Sequence, residues 1–173
     1  MNTMIEIETP RLLLRRIQEK DKQDLFEILS DEQWCLDGGG YHAMQALDEQ
    51  FDTLFQKFLV QQRYAVVLKE KDKVIGLVSM AEAKRAVPAY ELGFGINTSY
   101  QRKGYCYEAV KSVIDTCFQQ TDIQMFTVSH YSYNTASQKI VSKLGFIYEG
   151  TLHNARHHSV FGPSDLMCYY LER

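Results

Sequence analysis

Residues 90–106 constrain this chain more than any other segment. They read Tyr-Glu-Leu-Gly-Phe-Gly-Ile, then Asn-Thr-Ser-Tyr, then Gln-Arg-Lys-Gly-Tyr-Cys. Residues 90–96 read as a strand carrying two glycines, and the basic turn from Gln101 to Cys106 opens a helix expected to reach about Gln119. A strand feeding such a turn aims several unpaired backbone N–H groups, and the positive end of the helix dipole, at one point. Arg102 and Lys103 add mobile positive charge, so the segment reads as an anion cradle. Each charge-assisted hydrogen bond there contributes about 1.5–3 kcal/mol, so three or four suffice to anchor a pyrophosphate. The turn has neither the Gly-x-x-x-x-Gly-Lys-Ser/Thr spacing of a nucleotide phosphate loop nor the Gly-x-Gly-x-x-Gly of a dinucleotide fold.

The rest of the chain supplies a layout for this unit. Leu12–Ile17 reads as a strand and Asp21–Ser30 as a helix. Trp34–Tyr41, with three consecutive glycines, reads as a flexible connection. Apolar residues at spacings of three and four predict a helix from Met44 to about Gln61, its stripe forming core or one wall of a cleft. Strands are expected at Tyr64–Lys69, Val74–Met80, Ala89–Ile96, Ile123–Ser129, Phe146–Leu152 and Asp165–Leu171, with a charged turn at Glu70–Lys73. A second helix-start signal, Asn134-Thr135-Ala136-Ser137, leads to Gly145 as a left-handed helix end. About seven strands and four helices in this order predict an α+β fold rather than a regular α/β alternation.

A chain of 173 residues that is 45% hydrophobic fits one domain over 1–173 with a substantial core. A formal net charge of −3 argues against a general nucleic-acid or membrane surface. No apolar run approaches the roughly 20 residues of a membrane span, and the acidic start lacks a signal-peptide core. Cys35, Cys106, Cys117 and Cys168 are scattered and read as reduced thiols of a cytoplasmic protein. His153, His157 and His158 fall beside Gly162-Pro163, read as a loop, without a Cys or acid completing a zinc spacing, so no metal is expected. Cys106 at a helix start invites an acyl-cysteine reading, but no His or Asp stands at a recognisable distance, and it reads as packing.

Gln101-Arg102-Lys103-Gly104-Tyr105-Cys106 resembles the Gln/Arg-x-x-Gly-x-Gly/Ala signature of the GNAT superfamily of N-acetyltransferases, with Cys106 where Gly or Ala is usual. Asn134-x-x-Ser137 followed by Lys143-Leu144-Gly145-Phe146 is similar to the second motif of the same family. Glu8-Thr9-Pro10-Arg11-Leu12-Leu13-Leu14-Arg15 and Tyr107-Glu108-Ala109 resemble the branch that acetylates ribosomal-protein N-termini. The resemblance spans nearly the whole chain. It implies a mixed central sheet split between two parallel strands, here ending near Ile96 and Ser129. It further implies acetyl-CoA as co-substrate and an amine acceptor, either a protein N-terminus or a small molecule. Gln101, Arg102, Lys103, Gly104, Tyr105 and Cys106 would then hold the pyrophosphate. The backbone of Phe94, Gly95 and Ile96 would take the acyl and pantetheine end, and Asn134 the pantetheine. A homodimer stays open as an assembly.

Thioester aminolysis needs a carbonyl held beside a neutral amine, an acceptor for the amine proton, and an acid for the departing thiolate. By resemblance Ser137 is the acid, with Tyr131 and Tyr133 as competitors because many relatives use a tyrosine. For the base, Glu91 on the motif strand leads, acting directly or through water, and Glu82 and His130 follow. Gly93 and Gly95 suit a bulge at the split. The alternative to an enzyme is an acyl-CoA-binding sensor or scaffold, which would need the cradle but neither Ser137 nor an acidic residue in the cleft.

Overall fold

The computed structural model describes residues 4–173. Among these residues eight strands form one mixed sheet: β1 (Ile7–Glu8), β2 (Leu12–Arg16), β3 (Arg63–Leu68), β4 (Lys73–Glu82), β5 (Ala89–Ile96), β6 (Met125–Tyr131), β7 (Ile147–His158) and β8 (Gly162–Glu172). Their spatial order is β1-β2-β3-β4-β5-β6-β8-β7. Among the described residues five α-helices accompany it: α1 (Lys22–Leu29), α2 (Glu32–Gly39), α3 (Glu49–Val60), α4 (Tyr105–Gln120) and α5 (Thr135–Lys143). The α+β class holds. The added strand is the two-residue β1, too short to leave a period-two signal.

Two apolar cores divide the sheet's faces. On one face Leu92, Ile96, Phe126 and Val128 pack with Val110, Val113 and Ile114 of α4 and Val141 of α5. On the other, Ala65, Val67 and Leu77 pack with Leu25 and Ile28 of α1 and Phe51, Phe55 and Phe58 of α3. Burying a large apolar side chain contributes about 1.5–3 kcal/mol, so both layers are firmly held to the sheet.

Three departures from the sequence reading bear on the site. The glycine run is not a loop: residues 32–39 form α2, with the Asp31 side chain accepting from the Trp34 N–H at one end and Gly40 at φ 69° closing the other. Both caps and the burial of Cys35 outweigh the roughly 1 kcal/mol that each helical glycine costs. The helix expected from Met44 begins at Glu49, where Asp48 caps it by accepting from Phe51 N–H, and Leu47 is left exposed. Of the stretch expected as a loop before Gly162 only 159–161 is a turn, since β7 runs to His158 and pairs with Gly162. Histidines and arginine at 153–158 alternate too weakly in hydropathy to have signalled it.

Candidate active site

β5 and β6 are the one parallel pair among the described residues, and they pair only over Ala89–Glu91 against Met125–Thr127. Beyond Glu91 both strands continue, to Ile96 and Tyr131, without pairing with each other. The backbone groups facing this gap have no ladder partner, which is the opening an extended ligand can enter as an added strand. The split therefore lies between the expected strands, although Gly93 and Gly95 do not create it by a bulge. β4 and β5 stay in regular register from Gly76↔Ile96 to Glu82↔Tyr90. The glycines instead admit close neighbours. A Cβ on Gly95 would lie 2.8 Å from the indole Nε1 of Trp34, and one on Gly93 would lie 2.7 Å from Ser79 Oγ.

The cradle sits at the mouth of the split. Arg102 (φ 62°) and Gly104 (φ 83°) are both left-handed, so the turn curls its N–H groups towards one side ahead of α4. Gln101 does not present its amide outward: Nε2 donates to the Ile96 carbonyl at 2.9 Å and fastens the turn to β5. The Arg11 guanidinium donates to the Lys103 carbonyl at 2.9 Å, pairs with Glu108 at 2.6 Å and lies 4.4 Å over the Tyr105 ring. Thr9 Oγ1 donates to the same Glu108 carboxylate. Burial opposes ionisation of Glu108, but the hydrogen bonds from Thr9 and Arg11 outweigh it and hold its carboxyl below the usual value. The Thr-Pro-Arg segment and the Tyr-Glu-Ala segment are thus one brace behind the cradle, joining motifs that lie far apart in sequence. Cys106 is inert there, since burial pushes its thiol to about 12.

On the opposite face, α2 lies across the split and its last carbonyls are met by side chains. Tyr133 Oη and His158 Nε2 are each 3.2 Å from the Leu36 carbonyl, Asn134 Nδ2 donates to that of Asp37 at 2.9 Å, and Tyr131 Oη to that of Gly39 at 3.2 Å. His158 Nδ1 accepts from the N–H groups of Val160 and Phe161, which makes Nε2 the protonated nitrogen. Asn134 does two jobs, because its Oδ1 also accepts from Ser137 N–H and caps α5. We expect Asn134→Ala to lower stability by about 2 kcal/mol, one from the cap and one from the orphaned carbonyl. Asn134→Asp should recover the cap alone, and thermal denaturation of the two variants measures the difference.

The candidate acid and base groups separate by face and by commitment. Glu91, exposed on the α2 face, accepts a hydrogen bond from Ser129 Oγ at 2.7 Å. Tyr131 is 1% exposed, and its hydroxyl is spent on α2 like that of Tyr133. Burial first, then the charges of Asp37 and Tyr131, push Tyr133 up to about 12. Ser137 is half-buried in the first turn of α5, and among the described residues nothing accepts its hydroxyl proton. Glu82 is exposed at the far end of β4. His130 is 6% exposed on the α4–α5 face, with Nδ1 2.8 Å from the Tyr131 carbonyl and its ring stacked on Tyr169. Its Nε2 is buried and has no hydrogen-bond partner among the described residues. The three clustered histidines disperse: His153 faces Asp165 at 3.0 Å, His157 is exposed, and His158 is buried among Tyr131, Tyr133 and Phe161. Trp34 and Arg11 escaped the sequence reading. Arg11 carried a signal in its motif, and Trp34 carried none.

A mixed sheet that splays at its parallel pair, with a turn of left-handed residues ahead of α4 at the mouth, is the architecture of the acyl-CoA-dependent N-acetyltransferases. The model of the acetyltransferase (GNAT) domain matches residues 11–147, and the chain belongs to that family. The uncharacterized N-acetyltransferase YnaD of Bacillus subtilis (strain 168) is 26% identical over 154 residues, covering 84% of this chain and 85% of that protein. The ribosomal-protein-serine acetyltransferase of Escherichia coli (strain K12) is 23% identical over 150 residues, covering 83% of each. Among solved structures, a GNAT-family acetyltransferase from Bacillus anthracis superposes with a TM-score of 0.87 at 21% identity, covering 97% of this chain and 98% of that one. A spermidine N-acetyltransferase from Vibrio cholerae, in complex with CoA and spermine, gives 0.79 at 18% identity, covering 95% and 96%. The resemblance to the ribosomal-protein branch holds, and this chain is an N-acetyltransferase. No helix among the described residues is long and apolar enough to cross a membrane.

Proposed function

We propose that this protein transfers an acetyl group from acetyl-CoA to a primary amine, a protein N-terminal α-amine or a small-molecule amine, by direct transfer within a ternary complex in the cytoplasm. The observation carrying this reading is the cradle at the mouth of the β5–β6 split, braced by Arg11 and Glu108. The N–H groups of the Arg102–Cys106 turn, with the Arg102 and Lys103 side chains, hold the pyrophosphate. The unpaired edge of β5 at Phe94 and Ile96, on either side of Gly95, receives the pantetheine arm, and the α5 start at Asn134 flanks it. When bound, acetyl-CoA supplies an acyl carbonyl already activated as a thioester.

The chain's own groups then move two protons. Ser137 donates to the departing sulfur; a thiol of pKa about 8.5 needs only a weak acid. Ser137 is preferred over Tyr131 and Tyr133 because both phenols already donate to α2 carbonyls. Glu91 accepts the amine proton, directly or through water, from the α2 face, with Ser129 orienting its carboxylate. An α-amine of pKa about 7.7–8.0 is roughly a tenth neutral at pH 7, whereas a lysine near 10.4 is neutral below one part in a thousand. A single exposed carboxylate therefore suits an α-amine or an amine of similar basicity.

Release of free coenzyme A in the presence of N-terminal peptides, polyamines and aminoglycosides tests the reading. Binding of CoA with no release under any acceptor would instead make the chain a sensor or scaffold. Glu91→Gln should lose turnover most at neutral pH and recover as pH rises, because more amine becomes neutral unaided. A loss independent of pH would leave Glu91 with a structural role only.

A further inference from the structure

The α2 face of the sheet carries a charge arrangement that the proton transfers above do not use. Arg85 lies in the 83–88 connection between β4 and β5, and Glu149 lies on β7 where the register slips against β8. The Arg85 guanidinium donates twice to the Glu149 carboxylate, Nη1 to Oε1 at 2.7 Å and Nη2 to Oε2 at 2.6 Å. In the sheet order β7 stands three strand spacings from β5, about 14 Å. The pair therefore reaches across β6 and β8.

Register fixes what lies in the same row. Glu91 stands beside Thr127, and the two residues of a parallel pair share a face. Ser129, two residues on, shares that face and bonds Glu91. Ser129 stands opposite Cys168, and Cys168 opposite Gly150, next to Glu149. Gly93 and Gly95 continue the face to Trp34. The Cys168 thiol registers the whole set: burial raises its pKa most, Glu149 and Glu91 raise it further, and Arg85 opposes them. Among the described residues Glu91 has no ion-pair partner, whereas Glu149 is matched by Arg85. Within this row two carboxylates and one guanidinium leave a single negative charge; the next cation on the same face, Arg156, stands 5.9 Å over the Tyr131 ring.

We propose that the Arg85–Glu149 pair selects the acceptor: by cancelling the second carboxylate of this row it favours an amine carrying one positive charge over a polyamine. The pair is two-thirds buried, with side-chain exposures of 34% and 35%, so its charges are less screened than those of a fully exposed pair. A monocationic acceptor meets one uncompensated carboxylate, Glu91. A second ammonium on the acceptor meets the fixed guanidinium. The inference rests on the reading of this face as the acceptor side.

Arg85→Ala unmasks Glu149 and should raise the ratio of kcat/KM for spermidine over that for a peptide with no Lys or Arg by about tenfold. Glu149→Gln, which leaves the guanidinium unmatched, should lower the ratio, and the double variant should return it to near the parent value. Calorimetric titration of spermidine into the CoA-loaded proteins gives the same comparison without turnover, with Arg85→Ala expected to bind about tenfold tighter. A brace that only holds the fold would lower both acceptors alike and leave spermidine affinity unchanged, and that result overturns the proposal. If no amine at all releases coenzyme A, the proposed function fails, while the titration still decides whether Arg85 repels polycations.

Discussion

Coenzyme A is expected to stabilise this protein against heat, and Gly104→Val is expected to abolish that stabilisation. A ligand bound only by the folded state at a hundred times its Kd contributes about 2.7 kcal/mol, which for a chain of this size raises Tm by roughly 5–10 °C. Gly104 holds φ at 83° and caps α4, a conformation a β-branched residue rarely adopts. A Cβ there would also lie 3.3 Å from Arg11 Nη2, inside the brace that supports the turn. The variant should lose about 1–2 kcal/mol of intrinsic stability from backbone strain alone. The informative quantity is therefore the difference between free and CoA-loaded Tm, not either value. A shift equal to that of the parent protein would remove the cradle from the mechanism.

The second large effect concerns chemistry rather than binding. Ser137→Ala should reduce kcat by about 10²-fold, the low end for general acid catalysis, while leaving acetyl-CoA affinity nearly unchanged. The helix start should survive, because the α5 cap is formed by Asn134 and the backbone N–H of residue 137, not by the serine hydroxyl. Tyr133→Phe should cost little turnover, since that phenol donates to the Leu36 carbonyl. If kcat is untouched in Ser137→Ala and collapses in Tyr133→Phe, the acid role passes to the tyrosine.

What was legible in the sequence, and what was not, follows from how far each signal reaches along the chain. The cradle, the split strand and the Asn134 cap are local: a turn residue, a strand and a helix start within a few positions of one another declare themselves. Gly145, left-handed at φ 85° after α5, is equally local. The α2 helix was hidden because three consecutive glycines argue for a loop, and only the caps at Asp31 and Gly40, with a side wall supplied by β5 and β6, reverse that preference. The length of β7 was hidden because its outer half is exposed, polar residues whose strand character comes from pairing with β8. Arg85–Glu149 and Arg11–Glu108 join residues 64 and 97 positions apart, and no pattern in a single sequence marks such partners. The general base stays the least legible role, because the same strand alternation that puts Glu91 beside the cleft would put any outward-facing acid there.

The sheet ends on β7, and that end is broken twice: the pairing with β8 slips between Tyr148 and Gly150 and again between Leu152 and Arg156, with Asn154 left-handed at φ 50°. A long regular edge is a template on which further chains can grow strand by strand. Here Ile147, Tyr148 and Leu152 are exposed on that edge strand, enough apolar surface to make such growth a hazard. Two slips in register deny a second backbone a continuous ladder, and the other end, two-residue β1, offers almost none. The irregularity beside Glu149 thus also leaves this edge a poor template for further strands, and a β7 made regular is expected to form fibres more readily.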